Sequence, residues 1–199
     1  FAGGYRFETV VIETALYLPY LMRRFQSLGG TIHQREITSL DEPTSHAPII
    51  FNCTGLGSHT LLGDRELFPV RGQVMRAAKP TSPICYLDDE EDESGVFAYI
   101  VPRSHDCILG GTAPTNNWSL DPDPAIAARI LDRCALMNPE VRTLPILEHR
   151  VGLRPGRTSV RLESERTPSG SLLVHNYGHG GAGITLSWGC AEEAVSLPH

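Results

Sequence analysis

Two stretches of this chain combine residue types and spacing that could do chemistry. The first is His175-Asn176-Tyr177-Gly178-His179-Gly180-Gly181-Ala182-Gly183-Ile184-Thr185, with four glycines in the six positions from Gly178 to Gly183. Glycine has no Cβ and visits positive φ freely, so such a run lets the backbone press against a flat ligand. A loop that only needs room to turn would also use glycines, but the flanking His and Tyr favour a ligand site. The second is Arg154, followed by Pro155, whose ring restricts the local backbone. A guanidinium held there offers a planar fork that matches a carboxylate. Each charge-assisted hydrogen bond from it is worth about 1.5–3 kcal/mol when partly buried.

The elements that must position these groups are legible around them. Before the glycines, the apolar run 171–175 follows the turn Pro168-Ser169-Gly170 and reads as a buried strand. After them, Ile184, Trp188, Ala191 and Val195 fall on one face of a helix, whose free N–H groups and positive dipole end favour oxygens carrying negative charge. Strands are also expected at 5–12, 31–37, 48–53, 70–77, 96–101, 107–111 and 146–153. A turn rich in Asp, Pro and Ser separates the second of these from the third. Leu18, Leu21, Met22, Phe25 and Leu28 predict a helix ended by Gly29-Gly30, with Pro19 acceptable only in its first turn. Asp123 predicts the cap of another helix, begun by Pro124, burying Ile126, Ile130, Cys134 and Met137 and ended by Asn138-Pro139.

Four motifs resemble the D-amino-acid oxidase family of flavoproteins. They are Asn52-Cys53-Thr54-Gly55 with Arg71-Gly72-Gln73-Val74; Tyr99-Ile100-Val101-Pro102 with Leu109-Gly110-Gly111-Thr112; Gly152-Leu153-Arg154-Pro155-Gly156-Arg157 with Val160-Arg161-Leu162-Glu163; and the glycine loop continuing to Trp188-Gly189-Cys190-Ala191-Glu192-Glu193-Ala194. They stand in the family's order and cover nearly the whole chain. The resemblance implies an α/β fold: a discontinuous FAD-binding α/β layer, 1–58 (its first strand belonging to the substrate domain) and 156–199, with an inserted, mainly antiparallel β-sheet substrate domain at 59–155. It implies oxidation of D-amino acids with FAD and oxygen to 2-oxo acids, ammonia and hydrogen peroxide. No acid–base residue is required, because the flavin takes the α-hydrogen as hydride.

The same resemblance assigns residues. Arg154 and the Tyr99 hydroxyl hold the substrate carboxylate, and the Gly181 carbonyl receives the substrate amine. The backbone of Gly180, Ala182, Gly183, Ile184 and Thr185 faces the flavin edge, with Arg161 beside the ring. Thr54 and Gly55 lie near the adenosine and pyrophosphate, and Ile37 contacts the adenine. Arg157 makes a structural ion pair, and His175 and His179 structure the loop. Without the resemblance, Tyr99 in a short apolar strand reads as a core phenol and Arg154 as a salt-bridging arginine. The family's second, lid-borne tyrosine has no counterpart in Glu93-Ser94-Gly95-Val96-Phe97.

The strand, Gly-x-Gly-x-x-Gly turn and helix with which such dinucleotide-binding proteins normally open does not occur. The expectation is therefore a C-terminal portion that depends on an N-terminal half, with a partner-dependent or inactive chain, or a second copy as partner, as alternatives. A glycine or D-aspartate oxidase is a further alternative, though Thr112-Ala113-Pro114 offers no arginine for an acidic side chain. His175, His179 and His105 could be read as a metal site, but glycines surround the second.

Composition sets the remaining bounds. A net charge of −6 with scattered basic residues argues against nucleic acid or an anionic membrane as partner. No stretch approaches a membrane span. The run Asp88-Asp89-Glu90-Glu91-Asp92-Glu93 reads as a solvated loop. Five widely spaced cysteines without a CxxC pair fit neither a disulfide framework nor zinc, so a reducing cytoplasm is expected.

Overall fold

A computed structural model of the chain describes residues 3–40 and 47–197. In chain order its elements are α1 (Thr14–Ser27), β1 (Ile49–Asn52), α2 (Gly57–Leu61), β2 (Phe68–Ala78), β3 (Tyr86–Asp88), β4 (Val96–Pro102) and β5 (Asp106–Thr112). There follow α3 (Pro124–Met137), β6 (Ile146–Gly156), β7 (Arg161–Arg166), β8 (Leu172–Tyr177) and α4 (Gly183–Ser196).

Five strands form an antiparallel sheet in the order β3-β4-β5-β2-β6. Its two longest strands, β2 and β6, pair along almost their full length, from Phe68 opposite Gly156 to Ala77 opposite Ile146. Alternation decides what each face does. Met75, Ala77, Ala98, Ile100, Cys107 and Leu109 point to one side and form the core with Ala127, Ile130 and Cys134 of α3. That helix starts where expected: the Asp123 carboxylate accepts from the N–H groups of Ala125 (2.8 Å) and Ile126 (3.3 Å), and Pro124 takes the first helical position. The opposite face carries Tyr99 and Arg154.

The second sheet has the order β1-β8-β7, with β1 parallel and β7 antiparallel to β8. Its core is small, Leu172 and Val174 against Ala194 of α4. Because β1 and β8 are parallel, Asn52 lies beside His175 and both strands release their chains at the same end. In open α/β sheets, that carboxyl end is where ligands bind.

Several expectations need correction. Residues 5–12 and 31–37 are irregular rather than stranded, with no strand among the described residues beside them to satisfy their backbone; Tyr5 is 91% and Val10 84% exposed. Helix α1 begins at Thr14, so Pro19 stands in its second turn, and none of its residues is buried. It does end at Gly29, φ 89°, with Gly29 N and Gly30 N bonding the carbonyls of Gln26 and Phe25. The face of α4 marked by Ile184, Trp188 and Val195 points outward, and Ala194 is its one buried residue among the described positions. β3 and β7 are strands without an apolar signal: β3 has three residues, and β7, Arg-Leu-Glu-Ser-Glu-Arg, exposes its charged side. The Asp, Pro and Ser-rich turn falls mostly on 41–46, outside the described residues.

Ile130 has no exposed surface. Ile130→Ala should cost about 2–5 kcal/mol of unfolding free energy in urea titration, whereas Val160→Ala, at a half-exposed position, should cost much less.

Candidate active site

Arg154 points to the face of the large sheet that α3 does not cover, and glycines make room for it. Its strand partner is Val70, and its guanidinium extends over Gly72, where an added Cβ would lie 2.5 Å from both Nη atoms. Gly152, directly opposite Gly72, has open space above it. On the other side of the floor, Tyr99 pairs with Gly110, and its ring lies over that glycine so closely that any Cβ would collide with it. Phe97 flanks the tyrosine, ring centroids 5.7 Å apart. Glycine in a strand interior weakens pairing, so its recurrence at Gly72, Gly110 and Gly152 marks a surface cleared for close approach.

The electrostatics of this cup are unusual for an arginine. Arg154 is half-buried, donates from Nη1 to the Thr112 carbonyl at 3.1 Å, and among the described residues has no carboxylate within 4.0 Å. Its remaining fork is available for an anion. Burial pushes the Tyr99 phenol above its ordinary value, and the positive charge of Arg154 pulls it back. The phenol is therefore a neutral donor facing the same space.

Of the two loops at the carboxyl end of the small sheet, one meets this arginine and the other meets Pro155. A Cβ on Gly181 would lie 3.6 Å from Arg154 Cδ, and one on Gly55 would lie 3.6 Å from the ring of Pro155. Within the glycine loop, Gly178 (φ 87°) and Gly180 (φ 55°) need the left-handed region, and Gly181 does not. A buried network fixes both loops. The Asn52 Oδ1 accepts from Thr54 N (3.2 Å) and the Thr54 hydroxyl (2.8 Å), while its amide meets His175 Nδ1 at 3.2 Å and donates to Ser58 Oγ at 3.0 Å. His175 Nε2 lies 2.9 Å from Glu165. Burial lowers the pKa of His175, so the imidazole is a neutral bridge between β1 and β7.

Other sequence candidates lie elsewhere. Arg157 binds Asp64 at 3.1 Å and Glu66 at 3.4 Å, and Asp64 also accepts from the Tyr177 hydroxyl at 2.9 Å. Arg161 is engaged with Glu163 (2.7 Å), donates to the Tyr177 hydroxyl (2.8 Å) and lies 5.8 Å from that ring's centre, on the small sheet rather than beside Arg154. Ile37 is half-buried in the irregular stretch before residue 40. The acidic run is tied down at two points, Asp88 to Arg133 (2.7 Å) and Asp92 to Arg129 (2.6 Å), so it is less free than a solvated loop. Among the described residues no group of three His, Cys, Asp or Glu could hold a metal ion. A cavity of about 440 Å³ opens on the helix side of the large sheet, lined by Arg71, Thr112, Asp123 and Ile126 among others, away from the Arg154 face. The glycines of the floor and Thr112 were not singled out as site residues; the clue was glycine inside strands, Gly72 and Gly110-Gly111.

Comparison with known proteins gives three findings. The family model described as DAO, FAD dependent oxidoreductase, matches residues 1–197. A D-amino-acid oxidase of Rubrobacter xylanophilus is 52% identical over 195 residues, 98% of this chain and 59% of that one. One of Dictyostelium discoideum is 40% identical over 201 residues, 99% of this chain and 57% of that one. The chain thus spans about three fifths of the length of these relatives. Among solved structures, glycine oxidase from Bacillus cereus ATCC 14579 superposes with a TM-score of 0.62 at 20% identity, covering 74% of this chain and 41% of that one, which shows a shared fold. Among the described residues no helix is long and apolar enough to cross a membrane.

The floor makes a specific prediction. Gly72→Ala should leave the unfolding free energy within about 1 kcal/mol, because the atoms it meets are the tip of a flexible side chain. It should nevertheless weaken binding of a small carboxylate about tenfold or more by displacing the guanidinium, read by titration calorimetry.

Proposed function

The chain belongs to the FAD-dependent oxidoreductase family described as DAO, and from that membership we propose that it carries the substrate-binding face and part of the flavin site of a D-amino-acid oxidase. The observation that carries this reading is Arg154: a half-buried guanidinium with no carboxylate partner among the described residues, facing a phenol and touching the glycine loop. The reaction is D-amino acid, oxygen and water to 2-oxo acid, ammonia and hydrogen peroxide.

The residues present fit the flavin. Gly180 has open space above it and Gly181 lies against Arg154, and no side chain caps the first turn of α4, so the N–H groups of Gly183, Ile184 and Thr185 remain for carbonyl or anionic edge atoms. Among the described residues, Asn176 Oδ1 near the end of β8 and His179 Nε2 in the loop that follows are buried without a partner. When bound, FAD supplies the two-electron acceptor that takes the substrate α-hydrogen and passes its electrons to oxygen. This chain's own groups bind and orient. Arg154 and the Tyr99 hydroxyl hold the carboxylate, the Gly181 carbonyl accepts from the amine, and the α-carbon is thereby aimed at the loop. Thr54 and Gly55 would approach the adenosine and pyrophosphate, with Ile37 at the adenine and Arg161 lending charge near the ring.

We assign 1–58 and 156–199 to the cofactor layer and 59–155 to the substrate domain. A nucleotide-binding segment outside these residues is the proposed cover for the apolar faces of α1 and α4. Met22, Phe25 and Trp188 are 54%, 50% and 69% exposed, and Trp188 Nε1 donates to the Tyr17 hydroxyl at 2.7 Å, joining the two faces into one surface. The widely spaced cysteines, all free, go with a reducing cytoplasm.

The test is Arg154→Lys in the flavin-loaded protein that carries this chain. A point-charge ammonium cannot reproduce the two-pronged hold, so stopped-flow flavin reduction by D-alanine should fall at least about a hundredfold in apparent second-order rate. Reduction within about twofold of wild type would remove Arg154 from the site.

A further inference from the structure

Arg154 is held within the protein through one atom, and that atom belongs to a residue outside the roles assigned so far. The Thr112 carbonyl accepts from Arg154 Nη1 at 3.1 Å. Thr112 closes β5 in register with Val96 of β4, but not with β2. β5 pairs with β2 only as far as Gly110 opposite Val74, and continuing that register would set Thr112 opposite Gly72. At that step the Thr112 side chain stands in for the ladder: its hydroxyl accepts from Gln73 N at 3.0 Å and donates to the Arg71 carbonyl at 3.2 Å. The strand end is thus fixed to β2 by one hydroxyl, and the backbone carbonyl is left for the guanidinium lying over Gly72.

The chain beyond is stapled from the far side of the sheet. Arg71 N donates to the Pro114 carbonyl at 2.9 Å. The buried Arg71 guanidinium donates to the carbonyls of Ser119 (2.9 Å) and Asp121 (2.5 Å) and to the Gln73 side-chain oxygen (3.1 Å). Gln73 Nε2 donates to the Asp123 carbonyl at 2.7 Å, at the start of α3. A continuous hydrogen-bonded path therefore runs from the N-terminus of α3 through Gln73 and Thr112 to Arg154.

Building on the reading of Arg154 as the carboxylate-binding group, we propose that Thr112 is its positioning residue, the hydroxyl fixing the strand end so that the carbonyl sets where the Arg154 fork points. A valine has nearly the same shape but can neither accept from Gln73 N nor donate to Arg71 O; a serine can do both. The effect belongs to the charged fork, so it should appear for a carboxylate and not for its neutral amide.

The test is the affinity of the flavin-loaded protein for benzoate and for benzamide, measured by calorimetry, in wild type and in Thr112→Val, Thr112→Ala and Thr112→Ser. Thr112→Val and Thr112→Ala should weaken benzoate about tenfold and leave benzamide within about twofold, while Thr112→Ser stays within about twofold of wild type for both. With D-alanine the same variants should raise KM and leave the flavin-reduction rate at saturation within about twofold. Benzoate binding unchanged in Thr112→Val and Thr112→Ala, equal loss for benzoate and benzamide, or failure of Thr112→Ser to retain affinity would overturn the proposal. A wild-type protein that binds benzoate no better than benzamide would instead overturn the reading of Arg154, and this inference with it.

Discussion

A positive charge half-removed from water and left without a counter-ion among the described residues is the constraint on which this structure turns. Taking a guanidinium out of water is costly unless acceptors or an anion compensate it. Arg154 receives one carbonyl from Thr112 and lies over Gly72, with Tyr99 and the Gly181 backbone closing in from two sides. Every other arginine of the site region is neutralised or clasped: Arg157 by Asp64 and Glu66, Arg161 by Glu163, Arg71 by carbonyls. The contrast is what supports the proposal that an incoming carboxylate completes what the protein leaves open at Arg154. The floor of glycines follows from the same constraint, since a side chain at Gly72 or Gly110 would lift the arginine or the tyrosine off the sheet.

The two sheets serve this point differently. The large one is stiff: β2 and β6 pair over almost their full length and α3 seals one face with fully buried Ile130 and Cys134. The small one brings loops rather than side chains. Its parallel pair β1 and β8, tied through Asn52 and His175, delivers Thr54-Gly55 and the glycine loop to the same end, where both touch the Arg154-Pro155 step. Its remaining surface is far from self-sufficient, with α1 burying nothing and α4 exposing Trp188. The rigid part therefore carries the proposed substrate groups, and the part proposed to hold the cofactor is the part that still presents apolar area.

Legibility in the sequence followed the strength of the local physical signal. The Asp123-Pro124 start of α3 and the burial of Ile130 and Cys134 could be read because cap chemistry and 3.6-residue spacing agreed. In the large sheet β2, β4 and β5 are legible because they alternate against a real core, while three-residue β3 is not. Residues 5–12 and 31–37 alternate as well, but a strand needs a neighbour, and pairing is not written in one segment. The outward face of α4 failed for the same reason, since an apolar stripe tells that something covers it and not what. Arg154, Tyr99 and Gly181 are candidates through a family resemblance, and the structure adds what no motif states: that Arg154 lies over Gly72 and Tyr99 over Gly110, and that Thr112 links the arginine to the sheet.

The account stands or falls on what fills the open side of Arg154 in the flavin-loaded protein. A crystal structure of that protein with a bound D-amino-acid-like carboxylate should place one carboxylate against the free edge of the Arg154 guanidinium and within hydrogen-bond distance of the Tyr99 hydroxyl, with the arginine still over Gly72 and bonded to the Thr112 carbonyl. An Arg154 paired instead with an aspartate or glutamate of the protein, and a ligand bound elsewhere, would contradict it.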